Sequence, residues 1–265
     1  MRTEFGRLPG ERELAAELAE LGVRPGGVLL VQSSMRALGV VSGGVDSAIA
    51  ALRAVLGPEG TLVVYTATDE NSTTSRAHRS RIRHLTERQA SVLWDRMPPY
   101  DPERTPASPT LGVLSERVRR LPGALRSAHP QTSFAAIGPQ ARRITEGHAL
   151  TSHLGERSPL ARLYELDAQN LLVGVGLEVA TALHLAEYRR GGLRQQMYSC
   201  KVLGPDGRPR WVSFTDAALD DLHFPEWASR ITPHLRTLRP GRVASARALL
   251  VGVRDLVDTA VRVGP

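Results

Sequence analysis

The sequence predicts an α/β fold: a mostly parallel central sheet flanked by helices, with an added antiparallel hairpin and long active-site loops. Three observations support this. Short apolar runs at residues 27–31, 61–65 and 171–173 read as strands buried on both faces, where apolar–polar alternation disappears. A helix-period segment separates the first two, giving β-α-β order. Gly204-Pro205-Asp206-Gly207 lies between extended stretches at 194–203 and 210–214, a strong hairpin signal.

The elements follow in order. Residues 11–21 place Leu14, Leu18 and Leu21 on one side of an amphipathic helix. A strand over 27–31 leads to a helix over 46–56, closed by Gly57-Pro58, and then to a strand over 61–65. Residues 66–84 are polar and 97–110 proline-rich; both read as long loops of the kind that carry function. A strand is expected over 132–137, and a final helix over 244–261. The sequence shows no internal repeat or low-complexity segment, and its 265 residues read as one α/β domain spanning 1–265.

Composition narrows the function. With 42% apolar and 23% charged residues the chain is ordinary for a globular protein. No run approaches the roughly 18 apolar residues of a membrane helix, and residues 1–10 lack an apolar signal core, so a cytoplasmic protein without membrane partners is expected. Cys200 is the only cysteine, which excludes an internal disulfide and a thiolate-rich metal site. The net charge of +7 is almost wholly arginine, since Lys201 is the only lysine. Those arginines are scattered, without a basic helix or zinc finger, so no nucleic-acid partner is expected.

The most informative stretch is 170–189, NLLVGVGLEVATALHLAEYR. A buried strand stops at Gly174-Val175-Gly176, and a helix follows with Thr181, His184 and Glu187 at three-residue intervals, able to share one face. Open α/β sheets bind ligands at such strand-to-helix turns. Histidine suits proton transfer near neutral pH, and a carboxylate one turn away can fix its tautomer. After the first strand, Ser33, Ser34, Met35, Arg36, Ala37, Leu38 and Gly39 precede Ser42-Gly43-Gly44, a segment suited to phosphate oxygens but matching neither the P-loop nor the dinucleotide pattern. A histidine and a hydroxyl flank the strand in 128–134, AHPQTSF, and His148 and His153 follow in a loop-like stretch. His148, His153, His184 and Glu187 show no familiar metal spacing, and no metal is expected.

Taken in order, VLLVQSSMRALG, GPEGTLVVYTATDEN, SAHPQTSFAAIGPQA, GHALTSHLGERSPLARLYELDAQNLLVGVG and ATALHLAEYR resemble the aminoglycoside 3-N-acetyltransferase family, most closely members from antibiotic-producing actinomycetes. The resemblance spans roughly residues 11–222 and implies transfer of acetyl from acetyl-CoA, as co-substrate, to an amine. It places Ser33, Ser34, Met35, Arg36, Ala37, Leu38, Gly39, His129, Ser133 and Phe134 at the coenzyme site. It makes His184 the general base, oriented by Glu187, and gives Asp69 and Glu70 to a cationic acceptor, with Thr181 and His153 close by. One departure is Gln32, where a histidine is common in the family.

The chemistry fits these groups. An amine with a pKa of about 10.4 is neutral in only roughly one molecule in two thousand at pH 7, and only the neutral amine attacks a thioester. A base is therefore required, together with positioning of both substrates and stabilisation of the oxyanion, for which backbone N–H groups near Ser33-Ser34 or a glycine turn are candidates. With no activated nucleophile evident, direct transfer in a ternary complex is expected. A polycationic aminoglycoside needs a locally acidic groove on a protein of this charge; the candidates are Asp69, Glu70 and Glu187, with Asp216, Asp220 and Asp221 after the hairpin. The alternative is an N-acetyltransferase of the same fold acting on another amine, such as a biosynthetic intermediate. Either assembly state, monomer or homodimer, suits the sequence.

Overall fold

A computed structural model describes residues 8–264; residues 1–7, most of the stretch considered above for a signal core, lie outside it. Helices α1 (Glu11–Leu21), α2 (Met35–Leu38), α3 (Gly44–Leu56), α4 (Arg76–Ile82), α5 (Glu87–Arg96) and α6 (Gly112–Arg119) interleave with strands β1 (Val28–Ser33) and β2 (Thr61–Tyr65). Then come β3 (Leu125–Arg126), β4 (Phe134–Ile137), α7 (Ala141–Thr145), α8 (Pro159–Glu165), β5 (Gln169–Val173) and α9 (Leu183–Arg190). The chain closes with β6 (Gln195–Leu203), β7 (Pro209–Ala217), α10 (Phe224–Ile231), β8 (Arg239–Val243), β9 (Ala246–Gly252) and α11 (Val253–Val263).

Seven strands form the central sheet in the order β3-β4-β2-β1-β5-β9-β8. The β2-β1-β5 centre is parallel, with Leu30 opposite Val63 on one side and Asn170 on the other. Strands β4 and β9 pair antiparallel to their neighbours, so they alone oppose the direction shared by the other five. Successive side chains of β1 point to opposite faces. Leu29 and Val31 join the core beneath α1, α3 and α6, whereas Val28 and Leu30 join the one beneath α7 to α11. Helices on both faces explain why the central strands read as unbroken apolar runs.

Helix α1 matches its expected bounds because three signals agree: Leu14, Leu18 and Leu21 are buried, Glu13 accepts a hydrogen bond from the Gly10 N–H, and Gly22 ends the helix at φ +102°. The expected terminal helix over 244–261 is corrected. Residues 246–252 form β9, which turns back on β8 through Ala244 and pairs with β5, Val251 opposite Asn170. Ala246, Ala248 and Leu250 are buried in strand alternation, and β9 satisfies backbone groups along an edge of β5 that would otherwise be open. Only the remainder, α11, is helical. The 66–84 stretch also holds more structure than a loop: Ser75 caps α4 by accepting from the His78 N–H at 3.0 Å.

The predicted hairpin is β6–β7, in register from Gln195–Ala217 to Leu203–Pro209. It forms a separate two-stranded sheet, anchored on the segment after β2. Asn71 donates to the Lys201 carbonyl and accepts from the Lys201 N–H, at 2.9 and 3.0 Å. No helix among the described residues is long and apolar enough to cross a membrane.

Candidate active site

The carboxyl ends of β1, β2 and β5 open into a cleft of about 410 Å³, where a sheet of this topology places its ligand. Gln32 and Ser33 come from the end of β1, Tyr65, Ala67 and Asp69 from β2 and the turn after it, and Val175, Glu178, Thr181 and His184 from beyond β5. Asp221 and Phe224 close one side, Thr110, Leu111 and Ser115 another.

His184 belongs to the first turn of α9, and its Nδ1 lies 2.5 Å from Oε2 of Glu187. Glu187 is buried behind it, its side chain only 6% exposed. A carboxylate at that distance makes Nδ1 the protonated nitrogen and leaves Nε2 for chemistry. The second oxygen of Glu187 has its own neighbour, Nε2 of His223 at 3.2 Å. Phe224 packs its ring 4.6 Å from that of His184. Thr181 lies just ahead of α9, held by Gln32: the Gln32 amide donates to the Val179 carbonyl at 2.5 Å and accepts from the Thr181 N–H at 3.2 Å. The glutamine thus staples β1 to the turn that launches the histidine helix.

The acidic groups separate. Asp69 lines the cleft, and burial together with the neighbouring Glu70 raises its pKa above the usual carboxylate range. Asp221 lines the cleft and contacts Arg76; Asp220 lies 3.7 Å from the same guanidinium at the exposed rim. Glu70 points away, accepting from the Ser108 hydroxyl at 2.8 Å beside a different cavity shared with His78 and Leu93. Asp216 is not after the hairpin but within β7, buried, and it accepts from the His153 N–H, His153 Nδ1 and the Tyr188 hydroxyl at 2.7, 2.6 and 2.8 Å. Burial alone would raise its pKa, but these bonds hold it below the ordinary value. Its partner Tyr188 rests against Gly155, where a Cβ would come within 2.5 Å of the ring.

Three of the residues assigned to the coenzyme are interior. Phe134 is core; Ser133 donates to the Thr66 carbonyl at 2.8 Å and receives Arg126 at 3.0 Å. His129 Nδ1 accepts the N–H groups of Gln131 and Thr132 at 3.2 and 3.1 Å, so Nε2 donates to the Leu150 carbonyl at 3.2 Å. With no exposed surface, these side chains support the cleft from behind rather than lining it. His153 is likewise enclosed, its two nitrogens facing Asp216 and Gln131.

Of the 33–39 segment, Ser33 lines the cleft, Arg36 is exposed and Leu38 is core. Ser34 caps α2, and Met35 and Ala37 are partly buried. Gly39 ends the helix at φ +84°. The Ser34 N–H donates to the Val173 carbonyl at 2.8 Å, so it is not available as an oxyanion donor. This contact brings α2 against the turn after β5, where Gly174 at φ +67° leaves no room for a Cβ, which would lie 2.3 Å from that of Ala37. Among the described residues no group of three or more His, Cys, Asp or Glu side chains is placed to hold a metal ion. Cys200 is fully buried, and burial pushes its thiol up to about 12, far from nucleophilic use.

Sequence reasoning missed Gln32 as a staple, His223 as a neighbour of Glu187, and Thr110, Ser115, Glu178 and Phe224 as walls. The His-Phe-Pro-Glu-Trp run at 223–227, a helix start with Pro225 in its first turn, was the available signal for two of them.

Comparison with known proteins identifies the family. The family model described as aminoglycoside 3-N-acetyltransferase matches residues 30–263. Aminoglycoside N(3)-acetyltransferase III of Serratia marcescens is 38% identical over 200 residues, covering 75% of this chain and 72% of the relative. Aminoglycoside N(3)-acetyltransferase VII of Streptomyces paromomycinus is 35% identical, covering 94% of this chain and 88% of its own. The solved structure of AAC-IIIb in binary complex with CoASH superposes with a TM-score of 0.81 at 30% identity, over 96% of this chain and 95% of that one. This chain belongs to the aminoglycoside 3-N-acetyltransferase family.

Proposed function

We propose that the protein transfers acetyl from acetyl-CoA to the 3-amino group of an aminoglycoside by direct attack within a ternary complex. The observation that carries this is the His184–Glu187 pair, 2.5 Å apart with the carboxylate buried, at the wall of a cleft that also presents Asp69 and Asp221. The acidic side chains draw the polycationic acceptor toward His184. Glu187 keeps the Nδ1 proton in place, and His184 Nε2 removes a proton from the attacking ammonium. The amine nitrogen then bonds to the acetyl carbon as the carbon–sulfur bond breaks; the nitrogen gives its second proton to solvent, and the sulfur leaves as the thiol with the proton held by His184 Nε2. Ser33, Thr110 and Ser115 offer polar contacts to the coenzyme's pantetheine arm, Leu111, Val175 and Val179 apolar ones, and the exposed Arg36 suits its phosphates. The family names and the CoASH complex of AAC-IIIb support this reading.

The test is to incubate the protein with acetyl-CoA and a panel of aminoglycosides, following thiol release and the mass of the product. One added acetyl group on a 3-amino nitrogen is the expected result. Release of thiol with other amines and none of the panel would redirect the assignment to a different acceptor.

A further inference from the structure

Glu187 is a buried carboxylate with two imidazoles, and the proposed chemistry uses only one of them. Oε2 meets His184 Nδ1 at 2.5 Å, while Oε1 faces Nε2 of His223 at 3.2 Å. His223 comes from the entrance of a different helix and is itself held. Its ring stacks on Trp227 at 5.5 Å and 26°, and meets Phe224 edge-on at 5.0 Å and 86°. Phe224 in turn packs against His184. A carboxylate with one oxygen unengaged can rotate about its terminal torsion, which is broad and roughly two-fold; an imidazole 3.2 Å from the second oxygen, a charge contact rather than a hydrogen bond, restricts that freedom.

We infer that His223 is a positioning residue for the base: it secures Oε1 of Glu187 so that Oε2 stays on His184 Nδ1 and Nε2 faces the acceptor. The inference rests on the assignment of His184 as base. The other charged groups around the pair are Glu178, Asp69 and Asp221 on the cleft walls, Glu226 paired with Arg230 on α10, and Arg190 near Trp227. All of these remain in the variants below and influence each alike.

The experiment compares wild type with His223→Ala and His223→Gln, whose amide N–H can take the place of Nε2–H. His223→Ala is expected to lower kcat roughly three- to tenfold, the worth of one polar contact, with little change in either KM. His223→Gln recovers most of the loss. In a Glu187→Gln background, His223→Ala should cost almost nothing more. An uncoupled loss there, equal kcat in His223→Ala and wild type, or a Gln variant as impaired as the Ala variant would each overturn the proposal. A second readout needs no turnover: imidazole nitrogen-15 shifts of His184 should report one Nδ1–H tautomer in wild type and His223→Gln, and a mixture in His223→Ala. An unchanged tautomer in His223→Ala refutes the positioning role. A wild-type protein inert toward every amine would refute the functional reading instead, leaving the tautomer measurement to decide on His223.

Discussion

Among the described residues histidines meet a buried carboxylate at two places, Asp216 behind the hairpin and Glu187 at the cleft, and the two differ in what surrounds them. Behind the hairpin, the His129 ring lies between those of His148 and His153, tilted against each with centroids 4.7 and 4.6 Å away, and Asp216 closes the group. Each ring nitrogen there has a protein partner, and burial first of all lowers the pKa of His129 well below its usual value and that of His148 to about 4. At the cleft, His184 has one nitrogen on Glu187, and its side chain keeps 14% of its surface exposed. The residue types are the same; what separates a fastener from a base is a free nitrogen that a substrate can reach.

The sharpest way to break this distinction is to remove one histidine from each cluster. His184→Ala should lower kcat by roughly 10²- to 10⁴-fold with coenzyme binding nearly unchanged in calorimetry; near-normal turnover would take His184 out of the mechanism. His153→Ala should act on stability, costing about 3 kcal/mol in denaturant unfolding, because a buried ring is deleted and Asp216 loses its shortest donor, keeping only the Tyr188 hydroxyl and backbone N–H groups. A fully stable variant would show that the buried cluster fastens nothing.

Acid tests the same cluster as a whole. His129 and His148 are held neutral in the folded protein but bind protons near pH 6.5 when unfolded. Their stabilising contribution is complete above about pH 6.5 and is lost as pH falls toward about 4. The thermal midpoint should drop through that window, and a flat profile would contradict the assignment. The smallest expected effect is on the acceptor: Asp69→Asn should raise its KM about tenfold, leaving that of acetyl-CoA unchanged. Because the Asp69 pKa is raised and a cation binds the ionised form, wild-type acceptor affinity should climb with pH through the titration of Asp69, and the Asn variant should lose that climb. Equal slopes would move the acceptor away from Asp69.

These contrasts also show where sequence was readable. Three-residue spacing on a helix brings His184 to Glu187 through local geometry alone, and the apolar run of β2 and the leucine stripe of α1 carry their own period. The β8–β9 hairpin was not readable, because Ala-Arg-Ala-Leu-Leu-Val suits a helix or a strand and only the open edge of β5 decides between them. Nor could the string distinguish His129 from His184, since burial depends on what folds over each, and the β6–β7 hairpin comes from far along the chain. His223 reaches Glu187 from a separate helix, with no spacing to announce it.

The lone thiol has a practical consequence. Cys200 lies with Tyr198 and Phe214 against Leu150, without exposed surface. Reagents that colour on meeting a thiolate should therefore find only the released coenzyme, giving a turnover trace without protein background. Under mild denaturant the same silence becomes a gauge, since slow labelling of Cys200 would time how often the hairpin lifts.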